Sequence, residues 1–412
     1  MQPFFLQPFD YSLPLMNEEY DVIIVGAGPA GCSAAICLVR QGREVLLIDK
    51  ANFPRDKVCG DGIGPLALEV LDRLGALQQM TARNPWKIEG IDFFSPAGQM
   101  VRAPFSHLEG GYKHGWVFPR KEFDFLLLQH ARCFSNVHVL EGCEAVDLIH
   151  ATGKIIGIRT QHGGCLKDFA GKVIIGADGA YSRVAKGIFS PGRGFRNYAF
   201  AARGYFCQVE GLTNQIEIHC EKSLLPGYGW IFPTGRDSAN VGVGIDSRFL
   251  KKKDMKKLFH VFIRENPTLR ERFRKARLME NSFKGFPIPL GTFSPRRSHK
   301  NVLLLGDAGR FADVLSGEGI YYALRGGECA AEAIHEGLNM QGGSERIGGF
   351  YEKLWRRAFS PKEYLIGNLL QKLVIGEFFL NLNIRRACKN PVMARNLASI
   401  LCHQKTKMRL LF

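Results

Sequence analysis

What this chain lacks narrows it before anything it contains. Across its 412 residues there is no apolar run of about 18 residues or more, so the sequence predicts no membrane-spanning helix. The eleven cysteines include no Cys-x-x-Cys pair and no His/Cys grouping at zinc spacing. An odd, scattered set reads as reduced thiols in a cytoplasm, not as a disulfide framework, and no metal site is expected. The opening MQPFFLQPFDYSLPL carries prolines but no basic stretch, which excludes a secretory signal. Residues 1–19 read as a disordered leader, with Met1 and Met16 both open as translation starts. No nucleic-acid-binding motif is present. Beyond Glu377 there are seven Lys/Arg and no acid at all.

That last absence shapes the charge. The formal net charge is +16, and residues 251–277 hold eleven Lys/Arg against three Asp/Glu, so these two segments carry nearly the whole imbalance. A solvated face is the plain reading; the functional one is an anionic partner, either a membrane surface or a diphosphate-bearing substrate. The C-terminal segment mixes Phe378, Phe379, Leu380, Leu382, Ile384, Ile400, Leu401 and 410–412 with its basic residues. Two readings stand for it: lying on an anionic bilayer, or packing against the body of the protein.

What is present begins with residues 20–50, YDVIIVGAGPAGCSAAICLVRQGREVLLIDK. The apolar β-branched run Val22-Ile23-Ile24-Val25 predicts a fully buried parallel strand. Gly26-x-Gly28-x-x-Gly31 follows at once, then a helix over 30–41 and a second apolar strand over 45–48 ending at Asp49. The three glycines serve a tight turn, a close backbone approach to a pyrophosphate and close helix–strand packing. Phosphates would sit on the helix N-terminus, and Asp49 is placed to accept hydrogen bonds from a ribose. Strand before, helix after and acid at this distance make the motif a dinucleotide site rather than a bare glycine turn.

The rest does not split into two contiguous domains. Residues 52–64 form a glycine-rich loop, 65–77 a helix, and 86–103 a hairpin turning at Pro96-Ala97-Gly98. A helix over 123–134 precedes a strand near 137–140, and 146–159 reads as a hairpin turning at Thr152-Gly153. A buried strand at 172–176 leads into Ala177-Asp178-Gly179. Alternation over 199–246 suggests an antiparallel sheet, basic helices fill 254–277, and a last buried strand, 301–305, runs into Gly306-Asp307-Ala308. Gly242-Val243-Gly244 lies in a strand, so no second dinucleotide site is expected. Nucleotide-binding elements thus return at three places. They imply a discontinuous domain (20–85, 115–190, 285–340), a sheet-rich insertion (86–114, 191–284) and a helical, basic end (341–412).

GAGPAG, GADGAYSRVA and GDAGRFADVLSGEGI, in this order, resemble the flavoprotein family that includes p-hydroxybenzoate hydroxylase, over nearly all of residues 20–340. The resemblance implies α/β plus α+β architecture: a Rossmann-like FAD-binding domain built from discontinuous segments, an inserted antiparallel-sheet substrate domain and a C-terminal helical region. It places Gly26, Gly28, Ala30, Gly31, Asp49 and Lys50 on the cofactor, with Asp178-Gly179 near it. Gly306-Asp307 fall at the ribityl chain, with Gly317, Gly319 and Ile320 in the same motif. Arg120, paired with Asp124, would support the cofactor.

Within that family Pro54-x-x-x-x-Cys59-Gly60 and Tyr228-x-Trp230-x-Phe232-Pro233, followed by Gly242-x-Gly244, look like the signatures of geranylgeranyl reductases. The third motif departs from that pattern with Arg310 where glycine is usual and Val314 where proline is usual. The resemblance implies saturation of C=C bonds in a geranylgeranyl or polyprenyl chain by hydride from reduced FAD, with NAD(P)H as transient donor. Such an alkene has no carbonyl to hold charge, so positioning, apolar enclosure and a proton source are needed. Cys59, Tyr228 and Trp230 are the candidate catalytic residues, Tyr228, Trp230 and Phe232 line the prenyl chain, and Cys59-Gly60 also face the flavin. Acid, steric and redox roles stay open for Cys59. The alternative is a flavin monooxygenase or halogenase acting on an aromatic or specialised metabolite, since Tyr228-Gly229-Trp230-Ile231-Phe232-Pro233 partly mimics the halogenase WxWxIP motif. Lys57 lies in a loop like the one that carries the halogenase lysine, but in the reductase setting. The expected location is cytoplasmic, with the inner membrane face as a peripheral site and no nucleic-acid partner.

Overall fold

The structure, a computed structural model, describes residues 19–151, 153–189, 197–250, 254–293, 296–341, 343–373 and 376–410. The expected leader up to residue 18, the alternative start at Met16, Thr152 of the hairpin turn and the last two residues lie outside the described residues.

Strand Glu19–Val25 pairs in parallel with Val45–Ile48 on one side and Cys165–Gly176 on the other. Val137–Leu140 and Val302–Leu304 extend the parallel sheet at its two sides, and the short strand Ser298–His299 closes one edge. Alternate side chains point to opposite faces, so a run such as Val22-Ile23-Ile24-Val25 must be covered twice. Val22, Ile24, Val45, Leu47, Val173 and Ile175 share a core with helices Pro29–Val39, Arg120–Arg132 and Ile320–Leu338. Ile23, Val25, Leu46, Ile48 and Ile174 pack instead against Leu148, Ile155, Ile158 and Phe169 of the hairpin Cys143–Ala151/Lys154–His162 and its neighbouring strand. Each such side chain removed from water contributes about 1.5–3 kcal/mol, which fixes the register, since a one-residue slip would exchange the two sets.

Helices Pro29–Val39 and Ile320–Leu338 touch closely. Ser33 Oγ donates to the Leu324 carbonyl at 2.7 Å, and a Cβ at Gly327 would collide with Ser33 and Ala34 at 2.7 Å. The second sheet runs Arg277–Leu278, Tyr198–Cys207, Ala239–Asp246, Tyr228–Pro233, Gln215–His219, Gly90–Phe94, Met100–Pro104, with Lys284–Pro289 also paired to Tyr198–Cys207. It departs from the expected all-antiparallel pattern at one pair: Gln215–His219 lies parallel to Gly90–Phe94. Trp86–Ile88, expected in the hairpin, pairs instead with Gly115–Val117 in a small three-stranded sheet. Gly90 follows, at a point where a Cβ would meet Gln215 and Ala103, and the chain passes there from one sheet to the next.

One face of the second sheet is covered by helices Met255–Glu265 and Pro267–Arg272, where Phe259, Phe262 and Leu269 pack on Ile231, Val241 and Val243. The opposite face carries Tyr228, Trp230 and Phe232. Helices Glu377–Lys389 and Pro391–Leu401 close over its far end, burying Ile384, Ala387, Ala394 and Ala398 against Ile91, Phe93 and Ile216. For these residues the C-terminal segment packs on the body, while Phe378, Phe379 and Val392 stay exposed. Among the described residues no helix is long and apolar enough to cross a membrane.

Candidate active site

A cavity of about 1260 Å³ opens where the parallel strands end and runs under the second sheet. Of the expected site residues, Gly26, Gly28, Ala30, Asp49, Lys50, Cys59, Gly60, Arg120, Asp178, Gly179, Tyr228, Trp230, Phe232, Gly306, Asp307, Gly317, Gly319 and Ile320 all line it. Gly31 does not. It sits in the first turn of the helix against the Gly26 carbonyl, where a Cβ has no room, and so sets the helix–strand approach from behind.

At the strand ends the backbone does much of the work. Gly26 has φ +106°, and a Cβ there would run into Ala177 at the end of the neighbouring strand. Helix Pro29–Val39 starts with proline at its first position and no side chain caps it; Gly28, Pro29 and Ala30 line the cavity, so the partial positive charge of its N-terminus lies at the cavity wall. Asp49, expected as a ribose acceptor, is already engaged: Oδ2 accepts the Ala27 N–H at 2.8 Å and Oδ1 the Ala51 N–H at 2.9 Å. It braces the glycine turn while lining the cavity. Asp178 likewise turns its carboxylate toward the helix at Arg183–Ile188, accepting from Ser182 Oγ at 2.5 Å and Arg183 N at 2.6 Å. Gly179 beside it has φ +78° and open space where a Cβ would stand.

Arg120 is buried and grips Asp124 with both arms, Nε to Oδ1 at 2.7 Å and Nη2 to Oδ2 at 2.6 Å, and Arg55 adds a contact at 2.9 Å. Burial pushes the Asp124 carboxyl up, but Arg120 and Arg55 hold it net below its ordinary value. Lys57, from the loop before Cys59, reaches across to Asp307 at 2.7 Å. Its position in the halogenase-like loop therefore ends in an ion pair with the third motif.

Beyond the Cys59-Gly60 turn the lining becomes aromatic and apolar. Trp230 and Phe232 project from alternate positions of their strand, and Phe232 lies against Gly60, where a Cβ would meet its ring at 2.8 Å. Tyr228 donates its hydroxyl to the Ser316 carbonyl. The Cys59 thiol is held above its ordinary value by burial, with the Arg120 guanidinium pulling the other way, so it keeps its proton at neutral pH.

Behind this turn lies a network that motif reading missed. Asp61, wholly buried, accepts from Tyr205 Oη at 2.5 Å and Asn240 Nδ2 at 2.7 Å. Asn240 also donates to the Cys59 carbonyl at 2.7 Å and accepts from Trp230 Nε1 at 3.0 Å. The turn bearing Cys59 and the strand bearing Trp230 are thus tied through two buried side chains. Burial pushes the Asp61 carboxyl up to about 6 despite these donors. The available signal was faint: an acid directly after Cys59-Gly60, and Arg203 and Tyr205 two apart in an otherwise apolar strand.

The third motif explains its own oddities. Arg310 stands with φ +55°, a left-handed conformation in which glycine carries no Cβ penalty and other residues lose about 1–2 kcal/mol. Val314 is buried in the main core.

Residues 19–349 match the model of the FAD binding domain family. The chain belongs to that family. Among curated relatives, a digeranylgeranylglycerophospholipid reductase of Methanosarcina acetivorans is 30% identical over 89% of this chain and 86% of its own length. A menaquinone reductase of Mycolicibacterium smegmatis is 32% identical over 78% of each. Among solved structures, a geranylgeranyl bacteriochlorophyll reductase-like protein of Thermoplasma acidophilum superimposes with TM-score 0.82 at 22% identity, covering 96% of this chain and 98% of its own. A flavin-dependent brominase does so with TM-score 0.76 at 22% identity, over 93% of each chain. This FAD-dependent oxidoreductase, of the geranylgeranyl reductase type, fits its cofactor on structural grounds: an uncapped helix N-terminus for a diphosphate, glycine backbone at the points of close approach, and a cavity larger than the roughly 300–1,000 Å³ of a single small-molecule site.

Proposed function

We propose that this flavoprotein saturates isolated C=C bonds in the geranylgeranyl or polyprenyl chain of a lipid, quinone or diphosphate. One observation carries the reading. The cavity is polar and glycine-lined at the strand ends, then becomes apolar past Cys59-Gly60, walled by Trp230, Phe232, Ile91, Phe93, Ile384 and Leu397. Room for a chain is thereby continuous with the place where a cofactor ring would lie.

FAD, when bound and reduced by NAD(P)H, supplies hydride. The remaining tasks fall to side chains. Trp230 and Phe232 exclude water and hold an alkene against the Cys59-Gly60 turn. Cys59 carries a proton on Sγ that burial keeps in place, suited to the carbon opposite the one receiving hydride. Hydride and proton together add one hydrogen pair per bond, NAD(P)H is oxidised to NAD(P)⁺, and a proton from water returns to the Cys59 sulfur, whose burial favours the thiol. Gly26, Gly28, Asp49, Arg120, Gly306 and Asp307 are proposed to hold the cofactor, and Tyr228 to fix the third-motif loop through Ser316. The exposed basic C-terminal helices are proposed to rest on an anionic membrane, the source of such substrates.

The test is anaerobic turnover with NADPH or dithionite and mass spectrometry of an offered prenyl substrate. A gained hydrogen pair supports the reading. The oxygen-using alternative draws on the fold shared with the brominase; no product without O₂ and, in the same assay run in air, a gained oxygen or halogen atom would replace the first reading by that one.

A further inference from the structure

The loop that follows Asp313 is fastened by the end of the chain. Asp313 Oδ1 accepts the N–H groups of Leu315 and Ser316, both at 2.9 Å, and the Ser316 hydroxyl at 3.1 Å. Gly317 N–H returns to the Asp313 carbonyl at 3.0 Å. One carboxylate thereby shapes the turn through Leu315, Ser316 and Gly317, which lines the cavity opposite Tyr228 and leads into helix Ile320–Leu338. The other oxygen, Oδ2, faces the ammonium of Lys407 at 2.8 Å. Lys407 has only 4% of its side chain exposed and a second acid, Glu363, at 3.8 Å. Nearby, His403 Nε2 lies 2.6 Å from Glu318 Oε2, one residue past Gly317.

A basic C-terminal tail reads in sequence as a surface feature. Here one of its charges is turned fully inward, onto an acid with 1% exposure. Burial pushes Asp313 up, and Lys407 is the foremost influence holding it well below the usual carboxylate range. A buried ion pair adds little net stability over an apolar pair of the same shape, but removing one partner strands the other charge at a cost of several kcal/mol. Stranding Asp313 would release the N–H groups it organises, because a buried carboxylate without its cation moves toward water or a proton.

We propose that Lys407 is a positioning residue of the FAD site: by neutralising Asp313 it holds the Leu315-Ser316-Gly317 turn in the shape that receives the flavin ring. The tail is then part of the cofactor site and not an appendage to it. This rests on FAD binding and is independent of which substrate is reduced.

The experiment titrates apoprotein with FAD, following flavin fluorescence quenching and the visible band shape of the bound flavin. Lys407→Met should raise the FAD Kd at least about tenfold and alter the band shape, and Lys407→Arg should stay within about threefold of wild type. Asp313→Asn combined with Lys407→Met removes both charges while leaving Oδ1 as an acceptor, and should regain most of the affinity. Wild-type protein that takes up no FAD would count against the flavin reading itself. The proposal is overturned if folded Lys407→Met binds FAD within about twofold of wild type, or if the double variant loses as much as the single. Should Lys407→Met not fold, the double variant decides: affinity within about threefold of wild type supports the proposal, and a loss above about tenfold overturns it.

Discussion

Asp61 stands in an environment that its sequence position did not announce: it is wholly buried. A carboxyl raised from 3.8 to about 6 by burial binds its proton more tightly in the folded protein than in the unfolded chain. Its contribution to stability is therefore complete below about pH 4 and is lost as pH rises through 6, a difference on the order of 3 kcal/mol. Asp61→Asn has no such titration. With FAD saturating, the melting temperature of wild type should fall relative to that of Asp61→Asn between pH 4.5 and 7.5; parallel profiles would show that Asp61 does not titrate there. Cys59 gives the complementary expectation. Cys59→Ala should retain FAD, seen in its visible spectrum, yet lose most alkene reduction, and unchanged turnover would remove its role as proton source. Cys59 and Trp230 were legible because they stand in short contiguous motifs. Asp61 and Asn240 were not, because their pairing spans 179 positions and neither residue type is unusual where it stands.

At the scale of elements, alternation along a strand decides which side chains reach the cavity. In Tyr228–Pro233 the even positions face the cavity and Ile231 faces the helices. The neighbouring strand Ala239–Asp246 must then leave room for the indole: Gly242 pairs directly with Trp230, and a Cβ there would enter the ring. At Gly244 the Cβ would stand 3.7 Å from the same ring, an ordinary contact. Gly242→Ala should therefore push Trp230 out of place, costing about 1–3 kcal/mol of stability and more than tenfold in turnover, while Gly244→Ala stays near wild type in both. Equal melting temperatures and rates for the two variants would refute this account of the Gly-x-Gly signature. Element types were largely readable here, because buried parallel strands announce themselves as continuous apolar runs. The parallel pairing of Gln215–His219 with Gly90–Phe94 was not, since partners about 125 positions apart are chosen by tertiary contact and not by local pattern.

On the scale of the whole molecule, the cavity is closed by three regions far apart in the chain: the glycine turns, the second sheet and the C-terminal helices. The last of these carries two faces of different character. Helix Glu377–Lys389 turns Ile384 and Ala387 toward the sheet, and leaves Arg385, Arg386 and Lys389 exposed. At its start Phe378 is 71% and Phe379 46% exposed. On the preceding helix, Pro361–Leu373, Leu365 and Leu369 are exposed as well. Large apolar side chains in water beside a basic face suit the boundary of an anionic bilayer, where each inserted phenylalanine gains up to about 1.5–3 kcal/mol and each cation near the surface about 1 kcal/mol. Replacing Phe378 and Phe379 together by serine should therefore lower binding to vesicles containing anionic lipid by at least about tenfold. Raised salt should weaken what remains, because the residual attraction is electrostatic. Neither residue lines the cavity, so FAD content and turnover of a detergent-dispersed substrate should hold at wild-type values. Vesicle flotation at matched protein and lipid concentrations reads the first outcome. Full flotation of the double variant would overturn the reading of this helix as a membrane-facing surface, and a loss of flavin in the variant would mean that the two phenylalanines serve the fold and not a surface.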